Sequence, residues 1–266
     1  MALKYETNQY VIPRGRVFFN LQRADGTFAG EYPFGNCPGV SLTIDTEKAD
    51  HYSSETGLAQ KDAAVVVRID RTGSLTCDNF SPQNFARWLS GTAARVTQAA
   101  TPVVGEEITA SPGYFYQLGA TPSNPLGVRN VTGVAVNNEA GTTPYEAGVD
   151  YEVDLPTGRI QILAGGAIAD NTKVKVNYTP VAGSYDAVKS GGSSELTGSL
   201  RIVSDNAIGG NRDVFCPLVT LTPSGDLPLI AEGNSTDFAQ MEFGLEVLKS
   251  ANAEAIYVDG RPVPGV

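Results

Sequence analysis

Leu75-Thr76-Cys77-Asp78-Asn79-Phe80-Ser81-Pro82-Gln83-Asn84-Phe85-Ala86-Arg87-Trp88-Leu89-Ser90-Gly91 is where the chain shows most plainly how it is built. Its first residues end a strand, and the rest reads as a short helix. Ser81 suits the N-cap, Pro82 the first helical position, and Gly91 the C′ position that ends the helix. Phe85, Trp88 and Leu89 fall at i, i+3 and i+4, one apolar stripe that must pack on a sheet. No other stretch of the chain reads as a confident helix.

Upstream the periodicity is two. Val17–Leu21 is a compact apolar strand closed by the turn residues Ala24-Asp25-Gly26. Val40–Asp45 alternates strictly, with Val40, Leu42 and Ile44 on one face and Ser41, Thr43 and Asp45 on the other. Ala63–Asp70 resumes as a strand, and the two are expected to lie adjacent and antiparallel. The polar stretch from Thr46 to Asp62 between them reads as a long loop, and long loops in compact domains are usually functional.

Downstream of Thr101 the composition changes. Turn formers such as Ser111-Pro112-Gly113 and Pro156-Thr157-Gly158 separate short alternating strands. Tyr151–Leu155 and Arg159–Leu163 form a hairpin about the latter turn, and Val174–Tyr178 follows with the same period. This predicts a small β-sandwich over residues 101–180. It is inserted into an all-β core made of residues 1–100 and 181–266. Beyond the linker Ser190–Ser194 the runs Leu196–Val203, Asp213–Leu221, Phe238–Leu248 and Ala255–Val258 supply the core's remaining strands.

Composition narrows the function. The 266 residues carry a formal charge of −10, which speaks against a basic surface for retaining nucleic acid. Three widely spaced cysteines, Cys37, Cys77 and Cys216, without a CxxC pair, predict free thiols rather than a disulfide framework. The segment Met1–Glu6 has no apolar run, so no secretory signal is expected, and no run approaches the ~20 residues that span a membrane. His51 is the only histidine and reads as a solvated loop residue. Asp150, Glu152 and Asp154 share one strand face, where oxygen ligands could collect a hard cation, but the simpler reading has Tyr151, Val153 and Leu155 facing a small core and the acids facing water. Phosphate-loop and dinucleotide-loop glycine patterns are lacking. No catalytic group, cofactor or metal is expected, and the chain reads as a non-enzyme.

The order of features resembles the major tail tube proteins of long-tailed, siphovirus-type bacteriophages. The match runs from Arg16–Phe19 through Gly35–Gly39, the alternating strand, the acidic Ser53–Gly57 segment and Lys61-Asp62 to the Asn79-Phe80-Ser81 helix start. The inserted segment is similar to the decorating domains of some such proteins, through Gly148–Asp154 and Gly158–Ile160. The resemblance implies a tail-tube β-sandwich or barrel core with one short flanking helix. Such subunits self-assemble as stacked, hexameric rings in the host cytoplasm and become part of the virion. They enclose a tape-measure protein, contact other tail proteins, and let double-stranded DNA pass without specific binding. On that reading Ser41, Thr43 and Asp45 face the lumen. Glu47, Asp50, Tyr52, Glu55, Leu58 and Asp62 belong to a loop ordered by the adjacent ring. The competing reading is an Ig-like binding module for a surface carbohydrate or receptor, with Tyr114, Phe115 and Tyr116 as its aromatic platform.

Overall fold

A computed structural model describes residues 9–55, 57–191 and 196–262. In chain order the first strands are β1 (Gly15–Gln22), β2 (Phe28–Pro33), β3 (Gly39–Ser53) and β4 (Gln60–Cys77), followed by helix α1 (Pro82–Trp88). Next come β5 (Thr92–Gln98), β6 (Val103–Ala110), β7 (Phe115–Gln117), β8 (Val131–Asn138), β9 (Tyr151–Asp154), β10 (Arg159–Ile162), β11 (Thr172–Pro180) and β12 (Gly183–Lys189). The last four are β13 (Leu196–Ser204), β14 (Arg212–Ser224), β15 (Met241–Val247) and β16 (Tyr257–Gly260). The fold is all-β. The chain divides into one unit of residues 1–93 with 188–266 and a second unit, Ala94–Ala187.

The first unit is one antiparallel sheet in the order β2-β1-β13-β14-β15-β4-β3, with β16 paired to the far end of β14. Its strands form one continuous hydrogen-bonded sheet, and among the described residues the edge strands β2 and β3 are not paired with each other. Period-2 alternation puts Val17, Phe19, Leu75, Leu200, Val219, Leu221, Phe243 and Leu245 on one face, all buried. Each such side chain contributes ~1.5–3 kcal/mol by leaving water. Phe34 is fully buried among them and meets the Phe243 ring edge-on at 5.4 Å.

Helix α1 is shorter than its sequence suggests, and its ends are made differently. Ser81 does cap it, accepting from Asn84 N–H at 3.2 Å. At the other end Ser90, not Gly91, adopts the left-handed conformation, with φ 49°. Ser90 N–H donates to Arg87 and Gly91 N–H to Ala86, the double bond of a Schellman turn. Gly91 is needed for space instead, since a Cβ there would lie 1.8 Å from the Lys189 carbonyl oxygen. The buried helix residues are Asn84 and Ala86, with Trp88 half-buried against the core. Phe85 packs on Phe80 rather than continuing a stripe with Trp88 and Leu89.

The second unit has two three-stranded sheets, β7-β10-β9 and β6-β11-β8. Both contribute to one core of Ala110, Val131, Val136, Tyr151, Ile160, Ile162, Val174, Val176 and Tyr178. Its bounds lie outside residues 101–180 because β5 and β12 form a two-stranded ribbon that carries the chain out and back. Part of the Ser190–Ser194 linker, residues 192–194, falls outside the described residues.

Candidate assembly surface

The Thr46–Asp62 segment is not a loop. β3 and β4 remain paired from Gly39↔Thr76 to Ser53↔Gln60, so the hairpin continues far beyond the core and only residues 54–59 connect its strands. Glu47, Asp50 and Tyr52 therefore lie in β3 and Asp62 in β4, while Glu55 and Leu58 sit at the tip. The physical reason is cross-strand pairing of charge. Across the strands Arg68 meets Glu47 at 3.3 Å, Lys61 meets Asp50 at 2.5 Å, and His51 Nδ1 meets Asp62 at 2.5 Å, while Asp70 holds Arg68 at 2.7 Å from within β4 itself. Each exposed pair contributes ~0–1 kcal/mol, and together they reinforce one register. His51 is an exposed strand residue with a carboxylate partner.

Register assigns the two faces of this arm. On one side Ser41, Thr43 and Asp45 stand opposite Ser74, Thr72 and Asp70. All three predicted residues are exposed, and Ser41 and Ser74 share a hydrogen bond of 2.9 Å. β15 extends this face with Glu242 opposite Thr76 and Glu246 opposite Thr72. The result is a patch of hydroxyls and carboxylates, beside which Arg68 is already paired with Glu47 and Asp70. Alternation about Val40, Leu42 and Ile44 reveals the β3 part. The β4 and β15 parts carry the same signal, in Thr72-x-Ser74-x-Thr76 and in Glu242 and Glu246 flanking Phe243 and Leu245.

The opposite face begins as core at Val40, Leu42 and Leu75 and then runs out into solvent. Ile44 is 60% exposed and Ile69 47%. A bulge between Glu47 and Lys48 puts Val66 and Val67 together across from Lys48, and both are exposed too. The core's apolar stripe thus continues along the arm with nothing of the described hairpin covering it.

The anchor of the arm is polar and buried. Asn84 Nδ2 donates to the Phe34 carbonyl at 2.7 Å and the Asn79 carbonyl at 2.9 Å, while its Oδ1 accepts from Arg87 at 2.8 Å. Arg87 lies 4.7 Å over the Phe34 ring and 4.8 Å over Tyr32. Burial pulls its guanidinium down to about 10, still charged at neutral pH. Gly35 takes φ +87°, and a Cβ there would strike Asn79 at 2.4 Å, so this turn requires glycine.

In the inserted unit the acidic trio does not simply face water. Asp150 is buried and accepts from Ala167 N–H at 2.7 Å and Glu146 N–H at 2.8 Å, bonds that hold its carboxyl below the usual range. Asp154 binds the Thr157 hydroxyl of the turn, and only Glu152 is a plain solvated acid. Tyr151 is buried but Leu155, expected inside, is exposed. Among the described residues no group of His, Cys, Asp and Glu is disposed to hold a metal, and no helix is long and apolar enough to cross a membrane. Of the aromatic trio, Tyr114 and Phe115 are exposed, Arg159 lies 4.9 Å over the Phe115 ring, and Tyr116 accepts from Ser111 N–H.

The profile of the family described as Protein of unknown function UCP028589 matches residues 10–255. No curated protein matches the chain.

Proposed function

We propose that this chain, which belongs to the family described as Protein of unknown function UCP028589, is a self-assembling structural subunit that forms the tail tube of a long-tailed bacteriophage. The observation that carries this reading is the β3–β4 arm. Its apolar residues Ile44, Val66, Val67 and Ile69 are exposed along a face continuous with the core. A stripe of this kind on a monomer marks an interaction surface. A second copy, presenting its own sheet, is the partner that the resemblance to tail tube proteins implies. Rings of such copies, stacked, make the tube.

The polar face supports the same reading. Ser41, Thr43 and Asp45 with Asp70, Glu242 and Glu246 would line the lumen. Like charge repels phosphate, so DNA moves past such a wall without being retained. The tape-measure protein and other tail proteins are the further partners, and the assembled virion is the destination. On this reading the chain performs no catalysis.

A carbohydrate- or receptor-binding module is the second reading, favoured by the exposed Tyr114 and Phe115. Electron microscopy of the purified full chain at rising concentration separates the two. Rings or tubes are expected. Dispersed monomers at high concentration, with measurable glycan affinity, would refute the tube and favour the binder.

A further inference from the structure

We propose that Cys37 and Cys77 form a dithiol site that closes to an intrachain disulfide on exchange with a low-molecular-weight disulfide. The backbone places them face to face. Asp78 N–H donates to the Asn36 carbonyl at 3.2 Å, and the β3–β4 ladder starts at Gly39 opposite Thr76, which leaves Cys37 and Pro38 across from Cys77. Facing residues of an antiparallel pair lie ~4.5–5.5 Å apart at Cα. That falls inside the ~4.4–6.8 Å a disulfide spans, so closure needs little movement.

The surroundings suit sulfur chemistry rather than packing alone. Asn79 N–H and Asn84 Nδ2–H both point at Cys77 Sγ, each at 3.4 Å. The neighbouring Cys37 lowers the Cys77 thiol, with the Asn79 N–H and Arg87 acting the same way against burial; the Cys77 thiol itself points at the Phe34 carbonyl, 3.3 Å away. The same pairing, with burial, holds the proton on Cys37. Access differs as well. Cys77 is fully buried, whereas Cys37 lines an open cleft of about 490 Å³ with Val17, Val40, Ile202 and Val214. Cys216 has neither a thiol partner nor donors, and burial raises it to about 11.

The steps balance. A small disulfide RSSR enters the cleft, and Cys37 passes its proton to Cys77 as its sulfur attacks. A Cys37–S–S–R bond forms and RS⁻ leaves. Cys77 then attacks Cys37 Sγ, closing the Cys37–Cys77 bond. The second RS⁻ departs, and the Cys77 proton goes to a leaving thiolate. The Cys37 thiol and the Cys77 thiolate are oxidised to the bridge, and RSSR is reduced to one RSH and one RS⁻ that takes its proton from water.

The test treats the folded full chain with hydroxyethyl disulfide, then acid-quenches, denatures and alkylates it for mass mapping. One alkylated cysteine, Cys216, and one cross-linked pair of peptides holding Cys37 and Cys77 are expected. The melting temperature should rise by roughly 5–10 °C, since the bridge restrains the unfolded chain. The C77S variant should stop at a stable adduct on Cys37, and C37S should gain no adduct. Three alkylated cysteines, a bridge to Cys216, or a bridge between chains would overturn the proposal. This reading comes from the untouched sequence, so it stands even where a variant fails to fold.

Discussion

Asn84 Nδ2 lies 2.7 Å from the carbonyl oxygen of Phe34, which ties the helix to the segment threading the core beneath it. The same amide holds the Asn79 carbonyl and the Cys77 sulfur and receives Arg87, so one side chain joins four backbone and side-chain groups. Replacing it leaves buried polar atoms without partners. Asn84→Leu should cost about 3 kcal/mol in urea unfolding, read through the emission of the single tryptophan, Trp88. A loss under about 1 kcal/mol would mean water or Asn79 substitutes for it.

The helix terminus offers a pair of opposite effects. Ser90 bears a side chain at φ 49°, so Ser90→Gly should stabilise the chain by about 0.5–1 kcal/mol. Gly91→Ala should destabilise it by about 2 kcal/mol or more, because its Cβ meets the Lys189 carbonyl. Thermal melts of the two variants should move in opposite directions. Movement in the same direction would contradict the cap geometry.

Asp150 makes the inserted unit acid-sensitive. Two backbone N–H bonds depress its folded carboxyl below the ordinary aspartate value of 3.8. Its contribution is present above the unfolded value and is lost as pH falls through the folded one. Asp150→Asn should therefore lower the melting temperature at pH 7, with the gap to wild type narrowing below about pH 4. A gap constant from pH 7 to pH 2 would show that the bonds act without linkage to the proton.

On the proposed tail-tube reading, the arm separates folding from assembly into rings. Val66→Asp and Ile69→Asp change exposed positions, so subunit stability should stay within about 0.5 kcal/mol of wild type. Sedimentation and microscopy should nevertheless find the rings lost. Rings of normal yield from the double variant would place the subunit contact elsewhere.

What the chain's residues disclose follows from what buries them. The helix start is legible because Ser81 and Pro82 act locally. The outer arm is hidden because Thr46–Ser53 is polar on both faces and shows no burial period. A different signal was present: Glu47 and Arg68, Asp50 and Lys61, and His51 and Asp62 are complementary groups on either side of one turn, the last two pairs crossing as diagonal neighbours on adjacent strands do. Asp150 was missed since its partners, Glu146 and Ala167, come together only through the fold of the loops. The proposed Cys37–Cys77 bridge is equally invisible along the chain, since the two residues are forty positions apart and are brought near each other only where the β3–β4 ladder begins.

The contact of Gly91 with Lys189 means that the chain departs from the core and comes back to it at one place. To the core, everything from Ala94 to Ala187 is a single closed loop. The entropy of closing a loop grows only with the logarithm of its length, about 0.6 kcal/mol per doubling. Descendants of this chain are accordingly free to enlarge, trim or exchange that cassette with almost no consequence for the scaffold that bears it, and its size should drift faster than anything else in the molecule.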